Sequence, residues 1–96
     1  MSEKVPLESG LLREVVVWSV PVSEKYPDGI RYHLALVDPL TGEVLLLFDN
    51  HFPKGHHQHS RAGVESPFVY TNLTDLLTVY YGQERKEVES YESDAD

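Results

Sequence analysis

The sequence contains no cysteine among its 96 residues. Disulfide bonds and thiolate metal sites are therefore excluded, and the cysteine usage does not mark the chain as secreted. Long apolar runs are also missing, because the longest one, from Val44 to Phe48, is far too short to span a membrane. The N-terminal residues are polar and lack the apolar core of a signal peptide. We therefore expect a cytoplasmic protein with no membrane attachment.

Basic residues are scarce: 8 Lys and Arg stand against 16 Asp and Glu, for a formal net charge of −8. This balance argues against broad nucleic-acid binding, which needs an extended basic surface. The charge is uneven, since residues 84–96 contain six acids and two bases and so carry −4 of the total. The longest stretch without an acid, Asn50 to Val64, contains Lys54, Arg61 and four of the five histidines. We expect this stretch to hold an anion locally.

The sequence predicts the α+β class: an antiparallel β-meander of three to four strands with a C-terminal helix packed on one face. β-Branched and aromatic residues predict a first strand over Glu14 to Val22, and Pro21 indicates an edge position or a strand end. Strict alternation from Ile30 to Val37 predicts a second strand with one buried face. The nearly all-apolar Glu43 to Asp49 predicts a central third strand. Residues 68–70 predict a short fourth strand.

A helix is predicted to follow Asn72, a good N-cap residue. Its apolar stripe recurs at helical spacing and consists of Leu73, Leu76, Leu77, Tyr80 and Tyr81. Gly82 is one candidate for the helix end, although residues 83–89 could prolong it. The predicted organisation is a flexible arm over 1–12, a single domain over 13–83 and an acidic, disordered tail over 84–96.

The segment from Asp49 to Arg61 contains the candidate chemistry. If the backbone is extended after Gly55, His57 and His59 point to one side of the strand, and His56 and Gln58 point to the other. Two imidazoles on one face can act as a pair, one as general base and the other as general acid.

This arrangement suggests RNA cleavage without a metal or other cofactor. One of His57 and His59 would take the proton from the 2′-hydroxyl, and the other would protonate the leaving oxygen. Lys54 would stabilise the negative charge that grows on the phosphorus oxygens. Asp49 would orient a histidine through its ring N–H. These four residues are the predicted catalytic set, and it includes no metal ligand.

Three other interpretations of the segment stay open. Histidines in a polar loop are often only solvated or hydrogen-bonded to the backbone. Alternatively, His57 and His59 could bind zinc or nickel together with Asp49, His51 or Glu65. The segment could also contact a partner protein, which would make the chain a non-enzymatic interaction domain.

Three runs of residues resemble the TumE-like family of small bacterial and archaeal toxin components of toxin–antitoxin systems. They are Phe48-Asp49-Asn50, then Lys54-Gly55-His56-His57-Gln58-His59, then Glu65-Ser66-Pro67-Phe68 before a Leu-Leu helix. The resemblance spans residues 14 to 82, and the Asp-Asn…Lys-Gly-x-His-x-His spacing is its most specific element. It implies a growth-inhibiting toxin that acts on RNA and is neutralised by a cognate antitoxin protein.

The resemblance also implies further site residues. The polar motif of the family includes Asn50 and Gly55, and it continues to Glu65 in the following element. The family commonly has a basic residue just before the position of Glu65, where this chain has Val64, and Arg61 is the candidate substitute. We therefore expect Asn50, Gly55, Arg61 and Glu65 to bind RNA locally.

A homodimer is also expected. The strand around Val15 to Val20 is predicted to lie at a sheet edge, where the same strand of a second copy can pair with it.

Overall fold

The computed structural model describes residues 1–61 and 63–94. Its elements, in chain order, are β1 (Ser2–Pro6), β2 (Leu12–Ser19), β3 (Ile30–Val37), β4 (Val44–Asp49), β5 (His57–His59), β6 (Glu65–Pro67) and α1 (Leu73–Asp94). The strands form one antiparallel sheet in the order β1-β2-β3-β4-β5-β6. The predicted α+β class, the meander and the C-terminal helix are confirmed. The predicted number of strands, three to four, is too low.

One face of the sheet is apolar and packs against α1. Alternate residues of β2, β3 and β4 supply this face, because successive strand residues point to opposite sides. Phe48 lies at its centre, with its ring edge-on to that of Tyr80 at 5.6 Å between centroids. The buried cluster comprises Leu11, Val15, Val17, Tyr32, Leu34, Leu36, Leu45, Leu46, Phe48, Leu76 and Tyr80. The opposite face, which we call the open face, carries no helix among the described residues.

β4 is a central strand, as its apolar sequence predicts. It pairs with β3 on one side and with β5 on the other. The register of β3 and β4 shifts between Leu36 and Val37. Leu36 pairs with Leu46 and Val37 with Val44, so Leu45 is the extra residue of a bulge, and both Leu45 and Leu46 are buried.

The N-terminal segment differs from its prediction as a flexible arm. β1 pairs with β2 over five residues, so this segment belongs to the sheet. As a consequence β2 is paired on both sides, and the prediction that it is an edge strand is wrong. The edges of the sheet are β1 and β6. The predicted strand over 68–70 is also displaced, because β6 occupies Glu65–Pro67 instead.

The helix begins as predicted but ends later. The side-chain Oδ1 of Asn72 accepts a hydrogen bond from the backbone N–H of Asp75 at 2.8 Å, which is the geometry of an N-cap. α1 then passes through Gly82 and continues to Asp94. Most of the predicted disordered tail is thus helical, and its last two residues lie outside the described part of the chain. No helix of residues 1–61 and 63–94 is long and apolar enough to cross a membrane.

Candidate functional site

Strand pairing places the candidate residues on the open face. His57 lies opposite Asp49 in β4, and His59 lies opposite Glu65 in β6. Residues directly opposite one another in antiparallel strands project to the same side of the sheet. Since Phe48 points towards α1, its neighbour Asp49 points to the open face. His57, which is paired with Asp49, therefore points to the open face too, and so do His59 and Glu65.

Two histidines, a carboxylate and an ammonium converge on this face. His57, His59 and Glu65 each offer a ligand atom, and these atoms all lie within 4.8 Å of one another. The two imidazole centroids are 5.0 Å apart. Lys54 Nζ donates a hydrogen bond to Glu65 Oε2 at 2.9 Å, and His59 Nε2 lies 4.0 Å from the same oxygen. We refer to these four residues as the histidine site.

The charge state of Glu65 follows from its neighbour. The hydrogen bond from Lys54 lowers the pKa of Glu65 below its ordinary value, with the positive charge of the ammonium adding to the effect. Glu65 is therefore an anion at neutral pH. An open depression of about 320 Å³ borders the site and is lined in part by Lys54, His57 and Glu65.

The ring of His57 is oriented by a backbone carbonyl. Its side chain is buried, with 7% of the residue exposed, and Nδ1 lies 2.8 Å from the carbonyl oxygen of Gly55. A carbonyl can only accept, so Nδ1 carries the hydrogen and Nε2 keeps its lone pair in the neutral ring. Gly55 has φ of 70°, a conformation in which glycine avoids the strain of a side chain. Gly55 thus serves the site through its backbone.

Asp49 lies beside the ring of His33, a histidine outside the predicted catalytic set. Its Oδ1 accepts a hydrogen bond from the backbone N–H of His51, and its Oδ2 lies 3.7 Å from His33 Nδ1. Burial acts to raise the pKa of Asp49, but the interactions with His33 and the His51 N–H outweigh it and the pKa is lowered. The ring of His57 is oriented by the Gly55 carbonyl and not by Asp49. The alternation of β3 places His33 on the open face, opposite the apolar side chains of that strand.

Asn50 has a structural role rather than the expected role in the site. It is 4% exposed, and its Oδ1 accepts the backbone N–H of Tyr32 at 2.8 Å. Its Nδ2 donates to the carbonyl of Ile30 at 2.9 Å. Both ends of the side-chain amide are therefore used on the backbone of β3, so it projects away from the histidine site.

Arg61 is directed towards other elements. Its Nε lies 3.4 Å from Glu43 Oε1, in the turn between β3 and β4, and its guanidinium lies 6.0 Å from the centre of the Tyr91 ring in α1. Both contacts are made with the β3–β4 turn and with α1, and neither is made with the histidine site. The structure therefore brings together Lys54, His57, His59 and Glu65, and it separates Asn50 and Arg61 from them.

His56 occupies the opposite side of the sheet from its neighbour His57. Its Nδ1 lies 2.8 Å from Tyr32 Oη, and its Nε2 lies 2.8 Å from Asp28 Oδ2. Burial raises the pKa of Tyr32, so the phenol stays protonated and donates to Nδ1. The ring also stacks on Tyr70 at 4.7 Å. With both nitrogens engaged, His56 supports the loop rather than the site.

An aromatic and a cation extend the open face beyond the histidine site. Trp18 of β2 lies opposite Arg31 of β3, and the guanidinium sits 5.0 Å from the centre of the indole ring. Trp18 is 42% exposed. Arg31 is two residues from His33, whose cross-strand partner is Asp49. These residues therefore continue the polar surface that begins at the histidines.

Comparison with models of known protein families, with curated proteins and with solved structures finds no match. The histidine site offers two imidazole nitrogens for proton transfer or metal binding, one anionic carboxylate and one ammonium that can contact an anion.

Proposed function

We propose that this chain is a TumE-like toxin component of a toxin–antitoxin system and that it cleaves RNA at the histidine site. The observation that carries the proposal is the convergence of Lys54, His57 and His59 on the open face of the sheet. The sequence motif that resembles the TumE-like family contains the same three residues. A cognate antitoxin protein and locally bound RNA are the corresponding partners.

The proposed reaction needs no metal. Nε2 of His57 takes the proton of a 2′-hydroxyl, because Nδ1 is held as a donor to Gly55. The 2′-oxygen attacks the adjacent phosphorus, and the bond to the 5′-oxygen breaks. His59, the more exposed of the pair, protonates that 5′-oxygen. The products are a 2′,3′-cyclic phosphate and a 5′-hydroxyl end, and the two histidines exchange protonation states.

Lys54 supplies the electrostatic part of this mechanism. Its ammonium donates a hydrogen bond at 2.9 Å to Glu65, which has a carboxylate oxygen within 4.8 Å of a nitrogen of each imidazole. A fixed positive charge next to the phosphorus oxygens stabilises the additional negative charge of the transition state. Asp49 contributes less directly, since its carboxylate accepts a hydrogen bond from the backbone N–H of residue 51 and lies beside the ring of His33.

The net charge of −8 is compatible with local RNA binding because it is distributed unevenly. The charged residues that the six strands present on the open face, with Lys54 beside them, are three bases and three acids: Lys4, Arg31, Lys54, Glu14, Asp49 and Glu65. Their formal charges sum to zero, so the excess of acids lies elsewhere. A few phosphates can therefore approach this face without strong repulsion.

Induced expression tests the proposal in cells. We expect the wild type to arrest growth and the His57→Ala, His59→Ala double variant to lose this effect at matched protein level. His51→Ala is the matched control, because its exposed side chain belongs to the same segment but not to the site. Growth arrest that persists in the double variant contradicts a role for these histidines. A wild type without toxicity favours the interaction-domain interpretation.

A defined oligonucleotide tests the chemistry. We expect the purified protein to cleave RNA in the presence of a chelator and to leave a 2′,3′-cyclic phosphate, which mass spectrometry detects. A single 2′-deoxy substitution at the cleaved nucleotide removes the attacking oxygen and should abolish cleavage there. Cleavage of the substituted strand at the same bond would rule out the mechanism.

The proposed assembly includes a homodimer, as expected from the sequence. Its interface would involve β1 or β6, because β2 has partners on both sides. An edge strand presents unpaired backbone groups to a second copy.

A further inference from the structure

We propose that His57, His59 and Glu65 form a binding site for one divalent transition-metal ion of the Zn²⁺ class, and that the bound ion switches off RNA cleavage. The second part of this proposal rests on the proposed function, whereas the binding site itself does not.

The donor set and its spacing fit such an ion. Two imidazoles and one carboxylate, with a fourth position open to water, form a common zinc-binding set. Tetrahedral bonds of about 2.0–2.2 Å place neighbouring ligand atoms about 3.4 Å apart. The three ligand atoms here already lie within 4.8 Å of one another. Small rotations of the two more exposed side chains, those of His59 and Glu65, bring them to bonding distance.

The backbone around these ligands is already ordered. His59 and Glu65 lie directly opposite each other in β5 and β6, so their Cα atoms are held at a cross-strand distance. The Nδ1 hydrogen bond of His57 to Gly55 fixes the ring and leaves Nε2 as the atom with a lone pair. Metal-binding histidines commonly donate their other ring N–H to a carbonyl in this way.

The chemistry of the ligands selects the class of ion. Imidazole nitrogen suits zinc and its transition-metal neighbours, whereas Mg²⁺ and Ca²⁺ prefer sites made entirely of oxygen. The absence of cysteine from the chain leaves the imidazoles as the only nitrogen or sulfur ligands of high affinity. We therefore expect Zn²⁺ to bind and Mg²⁺ to bind only weakly.

Lys54 opposes the metal. Its ammonium donates to Glu65 Oε2, the oxygen nearest to His59, and its charge repels a cation at the same place. Metal binding must therefore displace this ammonium or use the other carboxylate oxygen. Removing the charge while keeping a long apolar side chain, as in Lys54→Met, should strengthen metal binding.

Metal binding and the proposed catalysis exclude each other. An ion that occupies the lone pairs of His57 and His59 leaves neither ring able to accept or donate the transferred proton. The same two residues would then form an active enzyme without metal and an inactive one with it.

Calorimetric titration of tag-free, metal-stripped protein with ZnCl₂ tests the site. We expect one ion per chain, with binding weakened in His59→Ala and in Glu65→Gln by at least the roughly 10- to 100-fold that loss of an outer-shell partner costs. His51→Ala should bind like the wild type, and Lys54→Met should bind more tightly. Circular dichroism verifies that each variant is folded. Absence of binding, or one-to-one binding that neither ligand variant weakens, would overturn the site.

A second measurement reports the geometry. Co²⁺ in place of Zn²⁺ absorbs strongly in the visible range when it is four-coordinate and weakly when it is six-coordinate. We expect strong absorption in the wild type and its loss in Glu65→Gln. Weak absorption in the wild type would contradict the four-coordinate site.

RNA cleavage with and without Zn²⁺ separates the two proposals. We expect stoichiometric Zn²⁺ to suppress cleavage and a chelator to restore it. Zinc binding with undiminished cleavage would refute the inhibitory role and keep the site. Zinc binding by a protein that never cleaves RNA would refute the proposed function, and the inhibitory role with it, while the metal site stands.

Discussion

His56 and His57 are consecutive residues with opposite environments. His56 has both ring nitrogens occupied by Tyr32 and Asp28 on one side of the sheet. His57 lies on the other side, and among the described residues only its Nδ1 has a hydrogen-bond partner. A strand reverses the direction of its side chains at every residue, so neighbouring residues of one type take different roles. The chemistry of this segment therefore depends on alternation and not on the number of histidines.

Asn50 should be a residue of stability rather than of activity. Replacing it with Ala leaves the Tyr32 N–H and the Ile30 carbonyl without their partner. We expect the free energy of unfolding to fall by about 2 kcal/mol, since a buried polar group without a partner costs about 1–3 kcal/mol. Urea denaturation measures this change, with exposed His51→Ala as the control. An unchanged denaturation midpoint for Asn50→Ala would contradict the structural role.

Alternation could be predicted from the sequence, but the separate roles of Asp49 and Asn50 could not. The ladder between β3 and β4 ends at the pair His33 and Asp49. Beyond that pair the Asn50 side chain takes the place of the backbone and bonds to β3. Whether a side chain replaces the backbone in this way depends on where strand pairing ends. Two adjacent polar residues in the sequence do not indicate that point.

The strands also differ in how far the sequence predicts them. β2, β3 and β4 contain six to eight residues each, and their apolar periodicity is visible in the sequence. β5 and β6 contain three residues each, and β1 is largely exposed. Hydrogen bonds to neighbouring strands hold these short elements, so side-chain pattern does not reveal them. The predicted strands therefore match β2, β3 and β4 and include neither edge of the sheet.

The second half of α1 is held by a contact that the charge pattern did not predict. Arg13 Nε donates to both carboxylate oxygens of Glu84, at 2.9 and 3.0 Å. Glu84 is buried at 4% exposure, and the hydrogen bond to it raises the pKa of Arg13. In the sequence, Glu84 is the first residue of an acidic run that composition alone classes as disordered. Its partner lies 71 residues away, so the helix is stabilised by tertiary contact.

Glu84→Ala should therefore destabilise the protein as a whole. Removing one partner of a buried ion pair is strongly destabilising, and we expect about 2–3 kcal/mol because Arg13 remains partly exposed. The double variant Arg13→Met, Glu84→Met should recover most of this loss, since no unpaired charge is left. Chemical denaturation of Arg13→Met, of Glu84→Met and of the double variant measures the coupling energy between the two side chains. Purely additive losses would show that the pair makes no joint contribution.

The whole molecule divides its charge between two sides. The open face is formally neutral, whereas the described part of the acidic run that starts at Glu84 lies in the second half of α1, which packs on the opposite side. If RNA binds as proposed, it contacts the histidine site and the pair Trp18 and Arg31 on the open face, away from α1. An exposed indole provides a stacking surface for a base, and a guanidinium binds phosphate.

Trp18 and Arg31 should contribute to RNA affinity but not to metal binding. Trp18→Ala removes a base-stacking surface worth about 1–3 kcal/mol, so the dissociation constant for single-stranded RNA should rise about tenfold. Arg31→Glu should also weaken binding and lower the slope of log affinity against log salt by about one. Both are measured by fluorescence anisotropy in the non-cleaving His57→Ala, His59→Ala background, so that the RNA stays intact.

Arg85→Glu is the matched control for charge, because Arg85 is exposed on α1 on the other side of the sheet. It makes the same change in net charge as Arg31→Glu. If RNA follows the open face, Arg31→Glu weakens binding far more than Arg85→Glu does. Equal losses of RNA affinity in the two variants would mean that RNA binding depends only on the total charge. The proposed RNA path from Trp18 to the histidine site would then be wrong, even if cleavage occurs at that site.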